Sequence, residues 1–293
     1  MDVTISIINY NYGRFLRQAI ESALAQSVHN ARIEVLVVDD GSTDESDLVI
    51  AEFAGHQRFR SSKTENRGFG SSLSRAISEA AGDYVFLLDA DDYYTPNKVA
   101  TVLPHLKNGV FYVCDLASFI NEEGAHFTGS GWGNTSTVAI NRSVAIDLLP
   151  VENELSFMVF FYLGRGKVLQ ETCTRYRVHE KSMTNRNIPG KWNSYLAGIT
   201  HNLANYLFLL LNTRPPPRWL SDRRHALSVV HLFRARAYYN ELEANLELHH
   251  VFKSAKSCFF MVYWQLRSSE CLQSLHYKMI IKTIIQRPSF PKS

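Results

Sequence analysis

Gly82-Asp83-Tyr84-Val85-Phe86-Leu87-Leu88-Asp89-Ala90-Asp91-Asp92 is the stretch that decides the fold. Tyr84 to Leu88 is an apolar run without polar alternation, the pattern of a strand buried on both faces in a parallel sheet sandwiched between helices. In open α/β sheets the carboxyl ends of the strands face the binding crevice. Three carboxylates crowded at such an end repel one another unless a cation or a polar partner sits among them. The run therefore implies a metal. A turn followed by a helix cap is the plainer alternative. The next helix already has a start of its own, however, with Thr95 as cap and Pro96 at the first helical position, so the aspartates are surplus to capping.

Working outward, Val3 to Ile8 reads as the first strand and Arg14 to Gln26 as a helix, with Phe15, Leu16, Ala19, Ile20, Ala23 and Leu24 on one face. Ile33 to Val38 is a second buried strand, interrupted only by Glu34. After it, Ser42 and Glu45 have capping-box spacing, which predicts a helix beginning near Thr43. Asp40-Gly41 is a natural turn. Asp39, the last residue of that strand and on the same sheet edge as Asp89, has a carboxylate available to a base N–H or a ribose hydroxyl, as strand-end acids are in nucleotide folds. Phe59 marks a short strand. Asn66-Arg67-Gly68-Phe69-Gly70 loops into a helix over 71–80, without the spacing of a phosphate-binding glycine motif.

Beyond the acidic run, a helix is expected over 96–107, a strand over 110–114, and a hairpin or loop over 121–134. Trp132 in that loop either covers a substrate or tucks onto the core. A strand over 137–140 and a helix over 142–149 follow. The apolar stretch 154–164 suggests a buried helix, and 167–170 and 174–178 suggest two more strands ending at His179. From Pro189 the pattern is helical, with helices over 202–211 and 222–248 and a rigid break at Pro215-Pro216-Pro217. The basic, aromatic-rich segment 252–266 has two readings, a helix on a membrane surface or one packed on its own domain or a second subunit, and the second is preferred.

At 293 residues, 45% of them apolar, the chain can bury a sizeable core, and a formal net charge of +3 with no basic arm argues against nucleic acid. Cys114, Cys173, Cys258 and Cys271 lack metal-ligand spacing and read as reduced thiols of a cytosolic protein. The start lacks the basic, apolar pattern of a signal peptide, and no apolar run approaches the ~18 residues of a membrane span. The expectation is a cytoplasmic protein, with the inner face of the membrane left open.

Four segments in order carry a family resemblance: Asn9-Tyr10-Asn11-Tyr12-Gly13-Arg14-Phe15-Leu16, Glu21-Ser22-Ala23-Leu24-Ala25-Gln26-Ser27, Val37-Val38-Asp39-Asp40-Gly41-Ser42-Thr43-Asp44 and Phe86-Leu87-Leu88-Asp89-Ala90-Asp91-Asp92. Together they resemble glycosyltransferase family 2, strongly over the first 110 residues or so. The resemblance implies a GT-A fold over 1–188 with a helical extension over 189–293. It implies a nucleotide-sugar donor (by default a UDP-sugar), Mn²⁺ or Mg²⁺, and transfer with inversion to a glycan, lipid-linked or protein acceptor. Tyr10 and Asp39 match the nucleobase positions, with Asn9 and Asn11 in the same loop and Asn66 in the glycine-rich loop counted with the donor site. Asp89 and Asp91 match the DxD motif, Asp91 as metal ligand. Tyr176-Arg177-Val178-His179 with Ser182-Met183-Thr184 looks like the closing motif, in which His179 joins the metal shell.

Departures from the pattern bear on mechanism. The family's base is the Asp of a Glu-Asp pair about a dozen residues before a Gly; counting back from Gly166 meets Glu154 followed by Leu155. Glu154 is the candidate base and Glu152 the fallback. Ser74 stands where Asn is common and Ile8 where Pro is frequent. A nucleotide-sugar-binding protein with lost or weak transferase activity is the alternative. A nucleotidyltransferase is disfavoured because the N-terminal loop lacks the Gly-rich, basic sequence that triphosphate chemistry needs.

Overall fold

The structure is a computed structural model that describes residues 2–179 and 191–247, together with residues 257, 260, 261, 263, 264 and 267. Two compact units divide the chain at His179/Glu180. In the first, among the described residues, nine strands form one sheet. In chain order the elements are β1 (Asp2–Asn9), α1 (Gly13–Leu24), β2 (Arg32–Asp39), α2 (Ser46–Phe53), β3 (Phe59–Lys63), α3 (Phe69–Ser78), β4 (Tyr84–Asp89), β5 (Tyr93–Tyr94), α4 (Lys98–Val102), β6 (Tyr112–Ile120), β7 (His126–Gly131), β8 (Val138–Asn141), α5 (Arg142–Ala145), α6 (Met158–Phe160) and β9 (Gly166–Arg177).

The sheet order is β3-β2-β1-β4-β8-β6-β9-β5, with β7 beside β6. β3, β2, β1 and β4 run parallel. β8 joins β4 and β6 antiparallel, so β4 is the seam between a parallel half and a mixed half rather than the middle of a wholly parallel sheet. As expected of a strand covered on both faces, Val85, Phe86, Leu87 and Leu88 are fully buried. One face packs with Leu16, Ala19, Ile20 and Ala23 of α1 in the main core. Entry into β4 needs glycine: a Cβ at Gly82 would lie 2.6 Å from Thr4 N.

Register gathers the chemistry at one edge. Asn9 stands opposite Asp39 between β1 and β2, and Ile8 opposite Asp89 between β1 and β4. Three loops thus leave the sheet side by side, at the carboxyl ends where such sheets bind ligands.

Several local expectations are corrected. α2 starts at Ser46, not near Thr43, and its N-cap Glu45 makes no capping hydrogen bond; Asp44 Oδ1 accepts Ser46 N at 3.0 Å instead. The hydroxyl of Ser42 is drawn to Asp39 instead. The helix expected over 96–107 is α4 alone, followed by a tight turn at Leu103–His105 where Pro104 interrupts. Its N-cap is Asn97, while Thr95 N donates to Cys173 O at 2.9 Å, tying the residues before it to β9. The apolar stretch 154–164 is a 3-10 turn (Glu154–Phe157), one turn of α-helix and a wide turn in which Gly164 has φ 71°. The two strands expected over 167–178 are one, β9, pairing with β6 through two irregularities at which the register shifts, between Cys114 and Leu116 and between Leu116 and Ala117. Trp132 is half-buried, its ring 6.0 Å from that of the half-buried Phe161.

The second unit contains α7 (Lys191–Asn212) and α8 (Arg223–Glu247), which pack on each other. Leu203, Leu207 and Leu210 of α7 and Val229, Val230 and Phe233 of α8 are buried. No described helix is long and apolar enough to cross a membrane. The proposed boundary at 188/189, residues 182–184 of the closing motif and most of segment 252–266 lie outside the described residues.

Candidate active site

The first loop at the sheet edge is locked from within. Asn9 is fully buried, and its amide nitrogen lies 2.6 Å from Asp39 Oδ2, 3.1 Å from Ser42 Oγ and 2.9 Å from Ser46 Oγ. Asp39, also fully buried, accepts from Gly41 N (3.1 Å) and Ser42 N (2.8 Å) on Oδ1, and from the Asn9 amide and Ser42 Oγ on Oδ2. A carboxylate offers about four lone-pair positions, and here all are taken within the chain. Asn11, at φ 57°, accepts Thr43 N on its side-chain oxygen at 2.8 Å, while its own N–H donates to Ser42 Oγ at 2.8 Å. Asn9, Asn11 and Asp39 therefore build the loop, a commitment that the expectation of an available Asp39 carboxylate did not foresee.

Tyr10 stands clear of this network with 45% exposure. Asp40, taken from the sequence as a turn residue, bridges to the glycine-rich loop by accepting Arg67 N (3.0 Å) and Gly68 N (2.9 Å), one on each oxygen. One acceptor position per oxygen remains. Asn66 is exposed beside it, its side-chain oxygen accepting Gly68 N at 3.1 Å. Replacing Asp39 with alanine leaves the Gly41 and Ser42 N–H groups without their acceptor and removes the shortest contact of the Asn9 amide, so a loss of about 3–5 kcal/mol is expected. Urea unfolding of Asp39→Ala measures it; a loss under about 1 kcal/mol would show the network to be dispensable.

The second loop carries the acids. Carboxylate oxygens of Asp89, Asp91 and Asp92 all lie within 4.8 Å of one another. Asp92 is buried and held on both oxygens, Oδ1 accepting Arg177 N at 2.7 Å and Oδ2 accepting Ser136 Oγ. Burial and then the neighbouring charges of Asp91, Asp92 and Glu154 push the carboxyl of Asp89 well above the usual range; burial and then Asp91 do the same to Asp92. Such crowding is relieved by a hard cation, which takes oxygen ligands. Asp91, whose side chain is 13% exposed, holds His179 Nε2 at 2.9 Å from Oδ2. The His179 ring lies against Tyr12 (5.4 Å, edge-on) and Phe15 (5.5 Å). The clustered carboxylates of Asp89, Asp91 and Asp92 could hold a divalent cation.

Arg177 ties this loop to its surroundings. Its guanidinium donates to the carbonyls of Asp91 (2.9 Å), Asn121 (3.2 Å) and Glu122 (2.6 Å) and to Gln18 Oε1 (2.6 Å), and it stacks on Phe15 at 4.5 Å. The end of β9 is thereby zipped to the acidic turn by residues 177 and 179.

Glu154 lies close enough to the acidic turn for its charge to raise the Asp89 carboxyl. Asn153 caps its turn by accepting Leu155 N at 3.1 Å. Burial raises its carboxyl from the ordinary 4.5 to about 7, against the lowering effect of backbone and Thr135 hydrogen bonds. Thr135 lowers the Asp89 carboxyl as well, so the two carboxyls share one neighbour. Glu152, the fallback, is exposed and lines a groove of about 550 Å³ with Arg67, Phe69 and Ser74. Thr135 and Ser136 carry no sequence signal of a role at the site, whereas Asp40 and Arg177 lie inside motif segments without a role of their own having been expected. The first two fall between the loop expected over 121–134 and the strand expected over 137–140.

The profile of Glycosyl transferase family 2 matches residues 4–162. An uncharacterized glycosyltransferase of Nostoc sp. is 32% identical over 212 residues, covering 61% of this chain and 65% of the relative. Chondroitin synthase of Escherichia coli is 34% identical over 113 residues, covering 38% of this chain and 16% of the relative. The chain thus spans less than two thirds of either. Among solved structures, TarS of S. aureus (residues 1–349, with UDP-GlcNAc) superposes with a TM-score of 0.63 at 15% identity, covering 98% of this chain and 92% of that one. The mannosyltransferase PcManGT of Pyrobaculum calidifontis, with GDP-Man and Mn²⁺, gives 0.51 at 16% identity over 97% and 87%. The shared fold is GT-A.

Proposed function

The chain belongs to Glycosyl transferase family 2, and from that premise we propose that it is an inverting, metal-dependent transferase moving a sugar from a nucleotide-sugar donor to an acceptor hydroxyl in glycan or polysaccharide biosynthesis. The observation that carries this reading is the pairing, at one sheet edge, of an acidic cluster suited to a cation with a separate carboxyl poised near neutrality. A hexosyl- or N-acetylhexosaminyl-transferase acting on a UDP-sugar is the favoured class, supported by TarS having been solved with UDP-GlcNAc. The acceptor is a glycan, a lipid-linked sugar or a protein.

In this reading Tyr10 packs on the nucleobase and Asp40, with acceptor positions to spare, receives its N–H. Asn9, Asn11 and Asp39 hold that loop in shape, and Asn66 borders it. Asp89 faces the ribose or sugar. Asp91, with His179, would hold the cation, which when bound would supply a Lewis acid to offset the charge of the departing diphosphate. Glu154 removes the proton of the acceptor hydroxyl as its oxygen bonds to the anomeric carbon and the bond to the diphosphate breaks. Attack opposite the leaving group inverts the configuration, as in inverting hydrolysis with an alcohol in place of water.

A donor panel tests the reading. In the presence of Mn²⁺, UDP-sugars at about 100 times their Kd should stabilise the chain by about 2.7 kcal/mol, seen as a rise in melting temperature that chelator abolishes. No shift with any nucleotide sugar would contradict a donor site. The Glu154-Leu155 departure favours one second reading, a protein that binds donor without using it. Donor consumption with candidate acceptors separates the two.

A further inference from the structure

Beneath the acidic turn lies a second polar cluster that takes no part in the proposed chemistry. Lys98 and Asp115 form an ion pair with both side chains fully buried. Lys98 Nζ lies 3.2 Å from Thr174 Oγ1, 3.3 Å from the Thr137 carbonyl and 3.4 Å from the Ser136 carbonyl, and 4.9 Å from the centre of the Tyr94 ring. Asp115 accepts Cys173 N at 3.0 Å and Thr174 Oγ1 at 2.9 Å. The pair therefore joins β6 and α4 to β9 and to the turn Thr135–Thr137.

That turn reaches the acids. Ser136, fully buried, accepts Asp89 N on its hydroxyl at 3.0 Å and donates the same hydroxyl to Asp92 Oδ2. One side chain thus fixes the backbone at the start of the acidic run and a carboxylate at its end. Its carbonyl in turn faces Lys98 and, at 3.2 Å, Thr174 Oγ1.

A buried ion pair is a poor way to gain stability, because desolvation offsets the attraction and a packed apolar pair of similar volume does as well. What an apolar pair lacks is the donor for the 136 and 137 carbonyls and the acceptor for residues 173 and 174. Those contacts set the turn against β9, whose last residues hold Asp91 and Asp92 from the other side. The acidic run is gripped between them.

We propose that the Lys98–Asp115 pair, acting through Ser136, positions the Asp89–Asp92 turn for cation and donor binding. Lys98, Asp115 and Ser136 are positioning residues, and the assignment rests on the donor-site reading above. Outer contacts of this kind, when removed, weaken metal binding about 10- to 100-fold.

The test is calorimetric titration of the full chain with UDP over a range of Mn²⁺ concentrations. Three proteins are compared: the parent, the double variant Lys98→Met/Asp115→Leu, which leaves no unpaired buried charge, and Ser136→Ala. Both variants should keep the parent's circular dichroism and melt within a few degrees of it. The Mn²⁺ concentration for half-maximal UDP binding should rise about 10- to 100-fold. A purely structural pair would move the melting temperature and leave that concentration alone. Folded variants with the parent's Mn²⁺ dependence overturn the positioning role while the donor site stands; a parent that binds no UDP with Mn²⁺ overturns both. Should the double variant not fold, Ser136→Ala decides by the same criterion.

Discussion

If Glu154 is the general base proposed above, Glu154→Gln should lower turnover by about 100- to 10,000-fold, the usual contribution of a positioned general base, and leave UDP binding close to that of the parent. Glutamine keeps the size and polarity of the side chain and removes its ability to take a proton, so a loss confined to turnover separates proton removal from donor binding. The pH profile adds a second signature. Burial raises the Glu154 carboxyl to about 7, and the base works only when ionised. In the parent, kcat/KM should therefore rise about tenfold per pH unit below 7 and level off above it, and the variant should lack that rise. Stability moves the opposite way. Between the ordinary 4.5 and about 7 the folded chain binds more protons at this position than the unfolded chain, so stability falls as pH rises through that window. The variant, freed of the buried charge, should melt higher than the parent at pH 8. Turnover that survives Glu154→Gln would exclude Glu154 as base and move attention to Glu152.

Asp91→Asn has the other large expected effect. Asp91 is the member of the acidic cluster that pairs with His179, at 2.9 Å. Asp92 has both oxygens engaged, with Arg177 N and Ser136. Asparagine preserves shape and a hydrogen bond to the histidine but removes the charge that a hard cation requires. Stabilisation of the leaving diphosphate by a cation amounts to several kcal/mol, so a loss of about a thousandfold in turnover is expected, with the circular dichroism unchanged. Raising Mn²⁺ should restore part of it. A variant with the parent's turnover in chelator would exclude metal-assisted departure.

The features legible in the sequence are those that local pattern encodes. An unbroken apolar run such as Tyr84 to Leu88 can be satisfied only by burial on both faces, and its position before three aspartates placed the acids at the ligand edge of the sheet. The pairing of Asp91 with His179 followed from motif order, though 88 residues separate them. Features decided by distant partners were not legible. Asp39 and Asp40 are adjacent at a strand end and chemically identical; only the positions of Asn9, Ser42 and the 67–68 backbone determine that the first is saturated and the second has capacity left. Ser42 has the spacing of a helix cap, yet a buried carboxylate three residues away outcompetes the helix for its hydroxyl. In the stretch 154–164, apolar composition announces burial but not helicity, and Gly164 at φ 71° turns the chain instead. Lys98 resembles any solvent-facing lysine of a short helix until Asp115 arrives on β6.

The central claim is that the edge formed by β1, β2 and β4 holds a nucleotide diphosphate through a cation on Asp91. Calorimetric titration of the parent chain with UDP, once with Mn²⁺ and once with chelator, measures it directly. The account predicts saturable binding with Mn²⁺ that weakens at least about tenfold in chelator and is lost in Asp91→Asn; equal affinity in both conditions, or in both proteins, would contradict it.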